Sequence, residues 1–238
     1  MAGVSIVLPC FNEEANVADA IRNAASAAAM SSEDYEIIVV DDGSTDETAA
    51  IAGDFVRADS RVRLILHVHN RGYGEALRSG IGVARMEWVL LTDADLQFDL
   101  RELEDFVTMT PGHDLLAGYR ILRKDTIRRR LAATAWNRLV RALFRLPVRD
   151  VDCAFKLIRR ELLQRCDLSA RGAMISTDVI VRCRAEGARI CEIGVHHRER
   201  VAGAESGGSP RVVLRAFREL AGLYRPLRRL AQGTREGA

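Results

Sequence analysis

Two aspartates, Asp93 and Asp95, directly follow the apolar run Trp88-Val-Leu-Leu-Thr92. A buried strand that runs straight into carboxylates is costly unless the charges are used or paired. A carboxylate pair at that place can hold a hard divalent cation that also takes phosphate oxygens, and an ion pair or a cap is the plain alternative. A second pair, Asp41-Asp42, ends the run Ile37-Ile-Val-Val and is followed by Gly43-Ser-Thr-Asp46. A turn and a helix N-cap explain Gly43 to Asp46. They do not explain two adjacent carboxylates, which repel unless they serve a ligand's base or ribose hydroxyls, a metal or an arginine. A third pair, Asp150-Val-Asp152, lies among arginines.

Other segments carry less chemistry. Asn70-Arg-Gly72-Tyr-Gly74 resembles a dinucleotide loop, but the third glycine of that pattern would fall at Leu77. It reads instead as a tight loop entering a helix, with Arg71 free to reach an anion. His196 and His197 are adjacent on an apparent strand, so their side chains point to opposite faces and do not share an ion easily.

Short β-branched runs near 4–8, 36–40, 62–67, 88–92 and 114–118 alternate with segments of helical period at 14–30, 45–58 and 74–86. This is the pattern of β-α-β units around a parallel sheet. Ligands of open α/β sheets bind outside the carboxyl ends of the strands, where the first two acidic pairs fall. Further along, the sequence predicts a basic helix over 126–146, a strand at 153–158, helices near 159–167 and 177–186, and a strand at 189–195. A Gly/Ser loop at 203–209 and a basic amphipathic segment from 210 follow. Pro226 should interrupt that segment, which could lie on anionic lipid or pack on its own domain.

The 238 residues are 48% hydrophobic and 29% charged, which excludes disordered and collagen-like classes. The net charge of +2 conceals an asymmetry: residues 1–119 hold 8 Arg against 21 Asp and Glu, whereas 120–238 hold 27 Lys and Arg against 12. Five cysteines without C-x-x-C spacing argue against a disulfide framework or structural zinc, and a reducing compartment is expected. No stretch reads as a signal peptide or a membrane span. Aromatics make up 5% and do not interleave with the basic helix, so nucleic-acid binding is not expected.

In this order the clusters resemble the family 2 glycosyltransferases, most closely the dolichol- or polyprenyl-phosphate mannosyltransferase branch. The resemblance covers about residues 4 to 220. It rests on Pro9-Cys-Phe11-Asn12-Glu13, Val40-Asp41-Asp42-Gly-Ser-Thr-Asp46, Asn70-Arg-Gly-Tyr-Gly74, Asp93-Ala-Asp95-Leu-Gln97, Gly118-Tyr-Arg120, Arg149-Asp150-Val-Asp-Cys-Ala-Phe155 and Arg200-Val-Ala-Gly203.

The resemblance implies an α/β fold of the GT-A, nucleotide-diphospho-sugar type with a mostly parallel central sheet. Pro9, Phe11, Asn12, Glu13, Val40 and Asp42 would line the nucleotide pocket, and Asp93, Asp95 and Gln97 would hold Mg²⁺ or Mn²⁺ and the diphosphate. Arg120 and Arg129 resemble residues that hold the acceptor phosphate, and Arg200 resembles one at the sugar-phosphate end. Asp150, with Asp178 behind it, is the candidate base or acceptor orienter, or else a partner of the surrounding arginines. The implied domain plan is one catalytic unit over 1–205, with a nucleotide-sugar half (1–119) and an acceptor half (120–205), followed by the basic segment 206–238.

The expected activity is inverting, metal-dependent transfer of a sugar from a nucleotide donor such as GDP-mannose or a UDP-hexose to a polyprenyl phosphate. It would take place in the cytoplasm, peripherally on the inner membrane face. Transfer to a hydroxyl, or nucleotide-sugar binding without transfer, are the alternatives. The sequence departs from the family where many relatives carry a Ser-Lys pair: here Gly203 is followed by Ala-Glu-Ser-Gly-Gly, and Arg211 is the nearest replacement cation.

Overall fold

The computed structural model describes residues 3–121, 127–200 and 210–233. A seven-stranded sheet forms its centre. The strands are β1 (Gly3–Cys10), β2 (Asp34–Asp41), β3 (Val62–Leu66), β4 (Trp88–Leu91), β5 (Leu115–Ile121), β6 (Lys156–Arg159) and β7 (Ile190–His196), in the order β3-β2-β1-β4-β6-β5-β7. The first four pair in parallel and β5 pairs in parallel with β7. β6 runs antiparallel to both of its neighbours, β4 and β5. The expected mostly parallel sheet is therefore present, with one reversed strand that periodicity does not reveal.

Helices cover both faces: α1 (Val17–Ser31), α2 (Thr48–Ala58), α3 (Tyr73–Val83), α4 (Leu103–Thr108), α5 (Ile127–Phe144), α6 (Arg160–Arg165), α7 (Ile175–Ala185) and α8 (Pro210–Gly233). Alternation along the strands explains the two layers. Ile37 and Val39 of β2, with Trp88 and Leu90 of β4, face a core shared with α1, α2 and α4. Ile38, Val40, Val89 and Leu91 face a second core shared with α3, α5, α6, α7 and α8. Helix α4 and the short 3₁₀ turn before it, Leu100–Glu102, had no counterpart in the sequence reading. The strand expected at 153–158 begins only at Lys156, because Asp150–Phe155 forms turns.

At Pro226 the expected break does not occur, and α8 continues to Gly233. Proline removes one backbone donor and crowds the carbonyl four residues earlier. That carbonyl belongs to Gly222, which is exposed, so water can serve it. Leu220, Leu227 and Ala231 are buried in the second core, and Glu219 and the Trp136–Phe217 and Phe144–Tyr224 ring contacts fix the helix along its length. Packing on both sides of the proline holds the helix together.

Candidate active site

The carboxyl ends of β1, β2, β4 and β5 lie side by side, and the loops beyond them carry the predicted residues. Reversal of β6 adds a fifth contribution. Its first residue, Lys156, pairs with Leu91 of β4 and Ala117 of β5, so the turn before it, with Asp150 and Cys153, enters the same end of the sheet.

Asp93 accepts a 2.8 Å hydrogen bond from the Tyr73 hydroxyl, and Asp95 accepts one of 3.1 Å from the Gln97 amide. Burial pushes the carboxyl of Asp93 up from its ordinary value despite the Tyr73 bond and the charges of Lys156 and Arg120. Burial, then the neighbouring Asp93 charge, pushes Asp95 up to about 7. The same burial and the Asp93 charge push the Tyr73 hydroxyl well above its usual range, so it stays a donor. Burial thus outweighs the positive groups near the pair, Lys156 and Arg120 for Asp93 and Arg200 for Asp95, so the two carboxylates carry more negative charge than their protein neighbours offset. That donor set fits Mg²⁺ or Mn²⁺, which take one or two protein carboxylates and complete their shell with substrate phosphates and water.

Arg200 pairs with Glu13 and stands 3.7 Å from Asp95. It thus joins the loop after β1 to the loop after β4 from 105 residues further along the chain. The other oxygen of Glu13 accepts a 2.7 Å bond from Asn16. Asn12, at φ 55°, ties the two nucleotide loops together: its amide donates to Ser44 (2.9 Å) and its side chain accepts from Thr45 (2.9 Å). Phe11 is 45% exposed, an apolar ring left open at the rim of the same loops. Pro9 and Val40 are paired partners on β1 and β2.

The two residues of the Asp41-Asp42 pair have different surroundings. Asp42 is spent inside the protein, where its carboxylate receives His67 Nδ1 at 2.6 Å and the amides of Arg71 (2.9 Å) and Gly72 (2.8 Å). Asp41 is 3% exposed and its Oδ1 has no hydrogen-bond partner in the described structure. A buried acceptor left open is costly, which makes Asp41 the member of the pair with capacity for a ligand donor.

Arg120 and Asp150 form a bidentate pair at 2.7 and 2.8 Å, with side chains 14% and 11% exposed. Burial opposes the guanidinium charge, but the Asp150 bonds outweigh it and hold Arg120 ionised well above its usual range. Asp178, the expected reserve base, does not reach this group. It is fully buried and accepts from the Ser169 and Ala170 amides and from Arg182, so its role is to hold the loop before α7. Arg71, expected to be free for an anion, is ion-paired with Glu75 at 3.3 Å. The side chains of Arg129 and Arg211 and the Gly203–Ser209 loop lie outside the described residues.

Three members of this group escaped the sequence reading. Tyr73 stands in the Asn70–Gly74 loop, where spacing alone gives it no role, and His67 is fixed between Asp42 and Ser79. Lys156 is 2% exposed and donates to the Cys153 carbonyl and, at 3.4 Å, to Ser176. Burial pulls its ammonium below the usual value. One signal was available: Lys156 is one of only two lysines among 35 basic residues.

A doubly layered α/β sheet with paired carboxylates and arginines at its carboxyl edge defines a GT-A, nucleotide-diphospho-sugar type of domain. Residues 5–166 match the sequence pattern of Glycosyl transferase family 2, and the chain belongs to that family. It is 30% identical over 203 residues to undecaprenyl-phosphate 4-deoxy-4-formamido-L-arabinose transferase of Enterobacter sp. (strain 638), covering 84% of this chain and 61% of that protein. It is 32% identical over 205 residues to the glycosyltransferase AglD of Haloferax volcanii, covering 81% and 32%. The chain thus spans less than two thirds of the length of these relatives. Its fold is that of the Mycobacterium tuberculosis glucosyl-3-phosphoglycerate synthase crystallised with Mn²⁺ and UDP-glucose, with TM-score 0.71, 20% identity and coverage of 93% and 78%.

The raised carboxyl of Asp95 has a consequence for stability. A carboxylate whose folded value lies above its ordinary 3.8 binds more protons folded than unfolded between that value and about 7, so its contribution falls as pH rises through this window. A divalent cation binding the charged pair should offset the loss. Mn²⁺ should therefore raise Tm at pH 8 and do so far less at pH 5, as read by thermal denaturation. An equal shift at both pH values would show that the cation binds elsewhere.

Proposed function

We propose that the chain transfers a sugar from a nucleoside-diphosphate donor to a polyprenyl phosphate, with inversion at the anomeric carbon. The observation that carries this reading is the meeting of two charge systems at one sheet edge. Asp93 and Asp95, with Arg200 beside them, suit a diphosphate and its cation, while the Arg120–Asp150 pair lies across β6 and suits an anionic acceptor. Relatives named as undecaprenyl-phosphate sugar transferases support the acceptor class.

In this mechanism the Phe11 ring and the open Asp41 oxygen receive the base, and the Asn12 bridge holds their loops in register. Bound at Asp93 and Asp95, with Gln97 alongside, Mg²⁺ or Mn²⁺ would supply Lewis-acid stabilisation of the departing diphosphate. Arg200 adds a guanidinium at that end. A phosphate oxygen of the acceptor forms the new bond to the anomeric carbon as the sugar–phosphate bond breaks, and the electron pair leaves with the nucleoside diphosphate. An acceptor that is already anionic requires positioning rather than deprotonation. Arg120 is suited to that task because Asp150 fixes its plane through two bonds. With both carboxylate oxygens used in this way, Asp150 is an orienter of Arg120 rather than a base.

Among the described residues no helix is long and apolar enough to cross a membrane. Helix α8 nevertheless exposes Val213, Leu214 and Phe217 among the exposed arginines Arg215 and Arg218, and Phe217 packs edge-on against Trp136 of α5. That surface suits peripheral contact with an anionic bilayer on the side where a polyprenyl phosphate is presented. The decisive experiment incubates the protein with GDP-mannose or UDP-glucose, undecaprenyl phosphate in detergent, and Mn²⁺ or chelator. Cation-dependent appearance of lipid-linked sugar is expected; nucleotide binding without sugar release to either a lipid phosphate or a hydroxyl acceptor would refute transfer.

A further inference from the structure

Helix α8 carries six arginines and one acid, Glu219. That acid does not pair with a neighbouring arginine in the described contacts. Its Oε1 accepts the amides of Arg171 and Gly172, both at 2.7 Å, and its Oε2 accepts the Met174 amide at 3.2 Å. Three backbone donors converging on one carboxylate fix both the carboxylate and the loop, because each charge-assisted bond is stronger than a neutral one.

The loop so held covers the entry of α3. The Arg171 carbonyl accepts the amides of Gly74 (2.9 Å) and Glu75 (3.3 Å), which are first-turn donors with no partner inside the helix. The approach is close: a Cβ on Gly74 would stand 2.6 Å from the Ala170 carbonyl oxygen, and one on Gly72, at φ 103°, would stand 2.6 Å from that of Arg171. Between these glycines is Tyr73, whose hydroxyl donates to Asp93. The far end of the same loop is held by Asp178 through Ser169 and Ala170. A continuous series of contacts therefore runs from α8 through loop 169–174 and the start of α3 to the carboxylate pair.

We propose that Glu219 is a positioning residue for the donor site: by holding loop 169–174 on the first turn of α3, it sets where Tyr73 presents Asp93. This rests on the donor-site reading above, and it makes the C-terminal helix part of the donor-binding machinery although α8 contributes no described side chain to the carboxylate pair. Loss of the Glu219 contacts releases the Arg171–Met174 part of the loop, loosens the Gly74 and Glu75 amides and lets the Tyr73–Asp93 bond lengthen.

The test measures binding of UDP and of GDP, each with Mn²⁺, by calorimetry, for the unmodified protein, Glu219→Gln and Gly172→Ala. A Cβ on Gly172 would stand 2.9 Å from Glu219 Oε2, so this second variant disturbs the same contact while leaving the glutamate in place. Glu219→Gln should weaken nucleotide binding about tenfold, within the usual range of site-to-site coupling, and speed hydrogen exchange at Gly74 and Glu75. Gly172→Ala should do the same to a smaller extent. In a Tyr73→Phe background the Glu219→Gln step should shrink to about twofold, because the two changes act on one series of contacts. A merely structural role would lower Tm and leave the two effects additive. Additivity, or nucleotide binding by both variants equal to the unmodified protein, overturns the proposal. Failure of the unmodified protein to bind either nucleotide overturns the donor-site reading itself, and this inference with it.

Discussion

Asp95→Asn should lower kcat/KM for sugar transfer by about 10³-fold, the scale of losing a principal electrostatic stabiliser of the departing group. The same change should raise Tm at pH 8. Burial and the Asp93 charge make the ionised Asp95 carboxyl unfavourable in the folded protein, so a neutral amide relieves a cost that only a bound cation would otherwise offset. Asparagine keeps the acceptor oxygen that meets the Gln97 amide and gives up the weak 3.7 Å approach of Arg200. A gain of about 1–2 kcal/mol at pH 8 follows from a carboxyl displaced this far, reduced for the lost ion pair. At pH 5, where the folded carboxyl is largely protonated and so already neutral, the gain should be smaller. Paired measurements of turnover and thermal stability check the result. Unchanged turnover would remove Asp95 from the proposed site, and a fall in Tm would show that the carboxylate is a structural ion-pair member.

Arg120→Gln should abolish transfer to the lipid phosphate and also destabilise the fold by about 3 kcal/mol, because it strands the buried carboxylate of Asp150. The partner change separates the two effects. Adding Asp150→Asn removes the stranded charge and should return most of the stability, measured by denaturant titration, while activity stays absent. The reason is geometric: two amides can satisfy each other in place of the bidentate pair, but neither offers a phosphate a guanidinium. Recovery of transfer by the double variant would show that the pair is structural and that the acceptor is held elsewhere.

The charge asymmetry of the sequence looks different in three dimensions. Acids of the first half meet arginines of the second across the molecule: Asp114 pairs with Arg189 and Arg159, Glu87 with Arg159, Asp99 with Arg198, Glu75 with Arg171 and Glu13 with Arg200. Asp114 and Arg189 pair through two bonds, and these hold the Asp114 carboxyl down at about 2. Part of the asymmetry is therefore internal complementarity between the halves rather than two surfaces for separate partners.

Local patterns sufficed for the parallel strands of the sheet and for the edge at which Asp41, Asp42, Asp93 and Asp95 stand. β-branched runs of period two that end in Asp41-Asp42 and Asp93-Ala-Asp95 specify strands that deliver carboxylates to one edge, because side-chain alternation and the turn chemistry after each run are encoded within a few residues. The helical periods at 14–30, 45–58 and 74–86 announce, by the same kind of short-range spacing, the helices found at Val17–Ser31, Thr48–Ala58 and Tyr73–Val83.

Contacts between distant segments were a different matter. The orientation of β6, which brings Lys156 and Asp150 beside Asp93 and Arg120, depends on which strands flank it, and no periodicity records that. Whether Asp41 or Asp42 keeps a free oxygen was decided by the loop 67–72 folding onto Asp42. Pro226 reads as a break in sequence and is carried inside a helix by the packing on either side of it. Glu219 is a lone acid in a basic helix until the loop 169–174 closes over it. The sequence by itself determined the fold class, the edge of the sheet and the residue types gathered there, since these depend on local alternation and spacing. The tertiary structure alone decided which of those side chains are consumed in holding one another and which remain for a ligand, because hydrogen-bond saturation and burial exist only once distant segments meet.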